Sequence, residues 1–233
     1  MTKSMKRRKG IVGIEAAIVL IAFVIVAAAL SFVALNMGLF TTQKSKEVIN
    51  RGLEESTSAL EVDGSVIGVS NGNNVTAMAI PIKLAPGREA VDLSPNKTTV
   101  SLLAGSHAFE NVLKKVYYVT GSSGNYTLWN PLNSSDVITN ITDLSIDTLV
   151  KKIWPQSPSS PEAVFIILKN VNPDSVLQYG EKALLLANFG ESYALLPYQK
   201  AVIEVKPPEG AILTLDRSIP ATLPSGGGDI DLG

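Results

Sequence analysis

A long, almost uninterrupted run of apolar residues extends from Ile11 to Phe40 near the N-terminus. Glu15 is the only charged residue in this run, and residues 16–35 contain a single polar side chain, Ser31. A helix of about 20 residues rises about 30 Å at 1.5 Å per residue, which matches the hydrocarbon thickness of a membrane. The pattern therefore predicts a helix that is long and apolar enough to span a membrane.

Beyond Phe40 the chain becomes polar, but apolar residues keep the spacing of one helix face. This stripe comprises Val48, Ile49, Leu53 and Leu60. We therefore expect one helical segment over residues 11–60, preceded by a basic segment at 1–10, with the helix ending near Asp63-Gly64.

From about residue 61 the chain changes to short runs of β-branched and apolar residues separated by turn signals such as Asn71-Gly72 and Phe189-Gly190. The strand candidates are Val75–Leu84, Thr98–Leu103, Val112–Thr120, Ala163–Lys169, Ala183–Ala187, Ala201–Val205 and Ile212–Leu215. Short strands with this punctuation favour an antiparallel β-sandwich or barrel. The predicted fold class is therefore α+β, with a long N-terminal hydrophobic helix followed by a β-rich outer domain over residues 61–233.

Three details of this domain follow from single residues. Pro81 lies inside a strand candidate, which predicts a sheet edge or a bulge there. The run Gly226-Gly227-Gly228 predicts a flexible tail. About 170 residues can bury an independent core, so we expect a fragment that begins near Glu61 to fold by itself.

The charges are segregated along the chain. The 233 residues contain 20 Lys and Arg against 21 Asp and Glu, but five of the basic residues lie within the first ten positions, which contain no acidic residue. Residues 11–233 contain the remaining 15 basic residues and all 21 acidic ones, so this part of the chain carries a net charge of −6. Nucleic-acid binding requires clustered cations, and the body of the chain is therefore not expected to bind nucleic acid.

The composition also argues against an enzyme. The chain has no cysteine, which excludes disulfides, thiolate nucleophiles and cysteine-ligated metals, and its single histidine, His107, makes a histidine-based site improbable. Gly68-Val69-Ser70-Asn71-Gly72 matches the G-x-S-x-G pattern of a nucleophile elbow, but a strand candidate follows it where the elbow needs a helix. We interpret it as a hairpin turn, and we expect no catalytic residue, cofactor or metal. Trp129 and Trp154 fit either the core of the sandwich or a contact with another protein, and the core is the default assignment.

The N-terminal 40 residues admit three interpretations. They are a plain membrane anchor, a secretory signal cleaved after Ala27-Ala28-Ala29, or a prepilin-type leader cleaved before the apolar run. Under each, the basic segment stays on the cytoplasmic side and the residues after Phe40 face outward. Lys9-Gly10 followed by Ile11 fits the third interpretation, in which residues 1–10 are removed between Gly10 and Ile11.

Glu15 favours the same interpretation. A carboxylate near the centre of a bilayer costs roughly 2.5–3.5 kcal/mol, so a disposable or passive segment has no reason to contain one. Cleavage after Gly10 would create an α-amino group on Ile11 with an ordinary pKa near 8. We expect Glu15 to pair with the Ile11 amine of a neighbouring subunit and to set the axial register of assembly.

These residues resemble those of archaeal flagellins (archaellins), which are relatives of the type IV pilins. The resemblance rests on the leader and helix start, Lys6-Arg7-Arg8-Lys9-Gly10 and Ile11-Val12-Gly13-Ile14-Glu15-Ala16-Ala17-Ile18-Val19-Leu20, and on two downstream stretches, Ile82-Lys83-Leu84-Ala85-Pro86-Gly87 and Ile203-Glu204-Val205-Lys206-Pro207-Pro208-Glu209-Gly210. It implies an Ig-like outer domain and a subunit that polymerises with itself into the filament of the archaeal flagellum. It also implies three further partners: a prepilin-type signal peptidase, the membrane before assembly, and the archaellum assembly and motor machinery.

Two alternatives remain open at this point. The first is an adhesive type IV pilin with the same leader, and the second is a secreted or membrane-anchored β-sandwich binding protein. The two downstream stretches favour the flagellin. An extracellular filament is therefore the expected location.

Five Asn-x-Ser/Thr sequons lie in the outer domain, and none has proline at its middle position. Their acceptors are Asn74, Asn96, Asn125, Asn133 and Asn140. Three of them fall within residues 125–142, a polar and turn-rich stretch in which a glycan would stay hydrated. We expect several of the five to be N-glycosylated.

Overall fold

The computed structural model describes residues 9–57, 59–87, 90–122, 125–169 and 172–233. The chain divides between Leu53 and Glu54 into two compact units, a helical one and a β-rich one. The helical unit contains all but the last three residues of α1, Lys9–Ser56, which is 48 residues long. At 1.5 Å per residue this helix is roughly 70 Å long.

The helix ends several residues earlier than its apolar stripe predicted. It stops at Ser56, and Leu60–Val62 forms β1, which pairs antiparallel with the end of β3 (Val75–Leu84). Leu60 is buried in the core of the β-rich unit rather than on a helix face. The expected helix end near Asp63-Gly64 is therefore wrong, because a strand pairing with residues 20 to 24 positions away outcompetes the local helical pattern.

The β-rich unit contains 15 strands within the described residues. All seven strand candidates are confirmed, and the others are shorter. Besides β1 and β3, the strands are β2 (Ile67–Ser70), β4 (Ala90–Asp92), β5 (Thr99–Ala104), β6 (His107–Phe109), β7 (Leu113–Ser122), β8 (Asn125–Trp129), β9 (Val137–Ile141), β10 (Glu162–Lys169), β11 (Val176–Gln178), β12 (Lys182–Asn188), β13 (Lys200–Lys206), β14 (Leu213–Ser218) and β15 (Gly228–Asp231).

These strands form two main sheets. The large sheet has nine strands, in the order β15-β2-β3-β12-β10-β7-β8-β9, with β1 also paired to β3. The small sheet has the order β14-β13-β5-β6, and β11 pairs separately with β4. Every pairing is antiparallel except that of β10 with β7, which is parallel. The α+β class, with a long apolar helix followed by mostly antiparallel sheets, is confirmed.

The two faces of the large sheet bury two different cores. Alternate residues of β3 point to opposite sides, so that Ile80 and Ile82 join one cluster and Ala77 and Ala79 join the other. The first cluster also contains Val100, Ile203 and their neighbours from the small sheet, and it is therefore the core of a sandwich.

The second cluster includes a short helix that was not predicted. The helix α2, Ile146–Ile153, buries Ile146 and Leu149 against this cluster, and its N-cap residue is Ser145. The apolar residues at 146, 149, 150 and 153 have the spacing of one helix face, and this was the available signal.

Two local expectations are resolved by the sheet. Pro81 is paired with Leu184 of β12, and on the other side of β3 the pairing with β2 ends at Ala79 while the pairing with β1 begins at Ile82. The missing N–H of Pro81 falls between two partner strands, and its carbonyl accepts a hydrogen bond from Asp63 N at 2.9 Å. The glycine run does not form a flexible tail, because Gly228 begins β15, which pairs with β2.

Asp63, which follows β1, forms ion pairs that should make the stability of the protein depend on pH. Its carboxylate contacts Lys83 Nζ of β3 at 3.2 Å and Lys182 Nζ of β12. Hydrogen bonds from Lys182 and Lys83 lower the pKa of the Asp63 carboxyl below its usual value of 3.8. A lowered folded-state pKa stabilises the protein above the unfolded-state value, and this stabilisation is lost as the pH falls through the folded-state pKa.

We therefore expect the unfolding temperature to decrease as the pH is lowered below about 4. The decrease should be less steep in Asp63→Asn than in the native protein, because the variant has no carboxylate to protonate at this position. Thermal melts across this acidic range, followed by circular dichroism, measure both slopes. Identical slopes in the two proteins would contradict the assignment. Asp216→Asn is the matched control, since Asp216 pairs with Lys200 at 3.4 Å on the exposed surface and its carboxyl is half exposed.

Candidate assembly surface and modification sites

From Ala16 to Leu35 the surface of α1 is apolar around its whole circumference, apart from Ser31. Each of its large apolar side chains between Ile14 and Phe40 is more than half exposed within the chain. The described stretch Gly13–Leu53 has a window of mean hydropathy 3.1, which is long and apolar enough to cross a membrane. A helix that is apolar on all sides requires cover on all sides, from lipid or from other helices.

Small residues are spread along the same surface. They comprise Gly13, Ala16, Ala17, Ala22, Ala27, Ala28, Ala29, Ser31 and Ala34. Small side chains let helix backbones approach closely in an apolar environment. The surface is therefore suited to packing against several other helices.

Polar side chains in the C-terminal third of α1 form ion pairs and hydrogen bonds within the helix. Glu47 accepts from Lys44 and from Arg51, with both distances at 2.9 Å. Thr41 and Thr42 donate their hydroxyl groups to the carbonyls of Met37 and Gly38 at 2.8 Å. This part of the helix can therefore face water, whereas the preceding part cannot.

The leader and Glu15 lie at the start of the helix. Residues 1–8 and the side chain of Ile11 lie outside the described part of the structure, although the backbone at Gly10 and Ile11 is helical. Glu15 has an exposed side chain, and the described residues include no cation within ion-pair distance of it. Its carboxylate is therefore available to a group from another chain.

The five sequon asparagines differ in exposure. Asn96, Asn125, Asn133 and Asn140 are exposed, whereas Asn74 is half-buried. Asn140 has a left-handed backbone with φ of 59°, in the last residues of β9. The fold brings Asn96 and Asn133, 37 positions apart, to the rim of one cleft.

The hydroxyl residues of the sequons separate them further. Thr98 is buried and donates its hydroxyl to the Asp92 carbonyl, and Thr76 donates to the Val69 carbonyl at 3.3 Å. By contrast, Ser135 and Thr142 are exposed. The sequons of Asn96 and Asn74 therefore have their hydroxyl groups engaged within the folded domain, whereas those of Asn133 and Asn140 present theirs to solvent.

The G-x-S-x-G match is a turn between β2 and β3. Ser70 Oγ accepts from Gly72 N at 3.0 Å, and Asn71 Oδ1 accepts from Asn73 N and Asn74 N. Gly72 has a φ of 99°, which a glycine adopts without strain. His107 lies exposed on β6 of the other sheet, so the described structure contains no base for Ser70. The interpretation as a hairpin turn is confirmed.

The two tryptophans have different positions. Trp154 packs half-buried against the second core and donates Nε1–H to Glu162 Oε2 at 2.9 Å. Trp129 is 37% exposed on β8, and its Nε1–H is donated to Thr120 Oγ1 at 3.0 Å. The assignment of Trp129 to the core is therefore wrong, because it points to the outer side of a strand near the sheet edge.

Comparison with known proteins identifies the family. The model of the archaeal-type flagellin family matches residues 10–217. The chain is 49% identical to a probable flagellin 1 of Aeropyrum pernix, covering 96% of this chain and 98% of that one. It is 31% identical to a probable flagellin 1 of Archaeoglobus fulgidus, covering 95% of each.

Two solved structures are also similar. The archaeal flagellum of Methanospirillum hungatei strain JF1 has a TM-score of 0.50 and 26% identity, covering 92% of this chain and 97% of that one. Flagellin FlaB1 of Methanocaldococcus jannaschii shares the fold, with a TM-score of 0.53 over 76% of this chain and 97% of that one, at 17% identity. The chain therefore belongs to the archaeal-type flagellin family and is a structural subunit, not an enzyme, of the extracellular filament of the archaeal flagellum.

Proposed function

We propose that a membrane peptidase cleaves the chain between Gly10 and Ile11. The helix α1 then leaves the bilayer, because contacts with the helices of other copies replace its contacts with lipid. The observation that carries this proposal is that every large apolar side chain of α1 between Ile14 and Phe40 is more than half exposed within a single chain. Burying a large apolar side chain contributes about 1.5–3 kcal/mol, so this surface cannot be left in water. Lipid covers it before assembly, and identical helices cover it afterwards.

In the assembled filament, the two parts of the chain have different roles. The apolar helices form the filament core, and the outer domains form a polar sheath around it. Contacts between different patches of the same subunit, related by a rotation that does not close, produce an open helical polymer. The assembly and motor machinery of the archaellum would act on this polymer.

The sheath would be glycosylated. Exposure and free hydroxyl groups favour Asn133 and Asn140, and Asn125 is exposed at the start of β8. Asn74 and Asn96 are less suited, because the fold engages the hydroxyl groups of Thr76 and Thr98.

Substitution of Gly10 tests the processing step. We expect Gly10→Val to leave the precursor uncleaved and the cells without filaments, because a branched side chain at the last leader position would not fit a site that accepts glycine. Mass spectrometry of the membrane fraction would show a subunit heavier by residues 1–10. Gly13→Val makes the same change three positions downstream and should still be cleaved. Normal filaments from the Gly10 variant would refute the assigned cleavage site.

Substitution of Glu15 tests the register. We expect Glu15→Leu to insert and be cleaved, but to be under-represented about tenfold or more in filaments formed together with the native subunit. A hydrogen bond to a charged group contributes about 1.5–3 kcal/mol, which corresponds to at least that factor. Quantitative mass spectrometry of mixed filaments measures the ratio, with Ile18→Leu as the matched control. Equal incorporation would show that apolar packing alone sets the register.

A further inference from the structure

A polar cleft of about 560 Å³ opens on the outer domain where three segments meet. Pro95 and Asn96 come from the segment between β4 and β5, Lys114 and Lys115 from the start of β7, and Asn130 to Asp136 from the loop between β8 and β9. We propose that this cleft holds the first sugars of a glycan attached to Asn133, an inference that rests on the proposed glycosylation of the outer domain.

Asn133 is the acceptor that the local geometry favours at this cleft. Its Oδ1 accepts from Ser135 N at 3.2 Å, and its carbonyl accepts from Asp136 N at 2.9 Å. These bonds orient the side chain while leaving Nδ2, the atom that would carry the sugar, without an acceptor among the described hydrogen bonds. Asn96, which also lines the cleft, is left as a polar contact for the glycan because its sequon residue Thr98 is buried.

One wall of the cleft is a preorganised polar network. Asp136 Oδ2 accepts from Lys115 Nζ at 2.7 Å, from Asn130 Nδ2 at 3.0 Å and from Tyr117 Oη at 3.2 Å. Burial alone would raise the pKa of the Asp136 carboxyl, but the hydrogen bonds from Lys115 and Asn130 hold that pKa below its usual value. The carboxylate therefore stays ionised and fixed, which suits it to accept hydrogen bonds from sugar hydroxyl groups.

The remaining lining explains the class of sugar. Lys114 is exposed at the cleft, and no carboxylate lies within ion-pair distance of it among the described residues. With Lys115 neutralised by Asp136, the cleft has a net charge of +1 and attracts an anionic group. Leu132, 54% exposed, and Pro95 add apolar surface for the C–H faces of sugar rings. The cleft therefore fits an oligosaccharide with an acidic sugar.

The test uses native filaments and measures how Lys114 reacts with an amine-acetylating reagent. We expect Lys114 to be protected in filaments and in dissociated subunits of the native protein, and to become several-fold more reactive in Asn133→Gln. Asn125→Gln is the matched control. It removes a sequon at the opposite end of β8, about 13 Å along the strand, and should leave the reactivity of Lys114 unchanged.

Mass spectrometry of the peptide that contains Asn133 separates the possible failures. An unmodified Asn133 would overturn the inference together with the glycosylation proposed for that residue, while leaving the assembly mechanism intact. A glycan on Asn133 with no change in Lys114 reactivity would overturn the docking alone. A neutral glycan would overturn the assignment of an acidic sugar.

A neighbouring subunit is the competing occupant of the cleft. If Lys114 is protected in filaments of Asn133→Gln but reacts once those filaments are dissociated, then a second copy covers the cleft and the inference is wrong. Protection that disappears in Asn133→Gln filaments and persists in dissociated native subunits supports the glycan.

Discussion

A fragment of residues 54–233 is expected to be a soluble, β-rich monomer that does not join existing filaments. Both core clusters lie within it, and it lacks the apolar surface between Ile14 and Phe40. Circular dichroism and sedimentation measure its fold and its oligomeric state, and a pelleting assay with native filaments measures incorporation. Polymerisation of this fragment by itself would place assembly in the outer domain and contradict the proposed role of α1.

A second fragment, beginning at Glu61, is the matched comparison. It lacks Ala59 and Leu60, which are buried, and it removes the carbonyl groups of Thr57 and Ala59 that accept from Ala211 N at 3.0 Å and from Ala85 N at 3.1 Å. Loss of a buried leucine side chain typically costs 2–5 kcal/mol, which corresponds to a decrease of roughly 5–15 °C in the unfolding temperature. Equal stability of the two fragments would show that β1 is dispensable.

Phe165→Ala is expected to destabilise the outer domain by about 3–5 kcal/mol, because it removes a large side chain and leaves a cavity. Phe165 is fully buried on β10, which lies between β12 and β7 in the large sheet. Chemical denaturation of the 54–233 fragment measures the free energy of unfolding. Filaments of the full-length variant should be less resistant to heat for the same reason.

Phe109→Ala is the control for this substitution. Phe109 lies half-buried on the edge strand β6 and packs edge-to-face against Tyr193 at 4.8 Å between ring centroids. The same truncation should lower the free energy of unfolding clearly less at this site, because part of the Phe109 side chain is already in contact with water in the folded protein. Equal losses would mean that the central position of β10 does not determine the stability of the sandwich.

Sequence patterns were sufficient wherever a structure depends on neighbouring residues. The run from Ile11 to Phe40 predicts α1, and the β-branched and apolar runs of β3 and β13 predict two strands that the structure contains. The short strands were missed because three to five residues contain too little alternation to be distinguished from loops. The helix α2 was missed for a related reason, since its two turns lie in a stretch dominated by turn residues.

The candidate sites divide in the same way. The sequence identified Gly10, Ile11 and Glu15 from a local pattern, and it identified the five sequon asparagines from their motif. It favoured the three acceptors within residues 125–142, but it could not show that the hydroxyl group of Thr98 donates to the Asp92 carbonyl, because that contact depends on the fold of the loop between β4 and β5. It also gave no signal for Lys114 or Asp136, because these residues line a cleft that forms only when the domain folds.

By itself, the sequence determined that this chain has a long apolar helical run with one carboxylate, Glu15, a basic N-terminal segment and a strand-rich domain, because each follows from the order of adjacent residues. Only the tertiary structure decided that β7 and β10 pair in parallel, that β15 joins β2, and that Asn96 and Asn133 share one cleft. These arrangements join residues 37 to 164 positions apart. Their free energy comes from burying one sheet face against another, and no local pattern of hydrophobic and polar positions specifies which distant partner a strand takes.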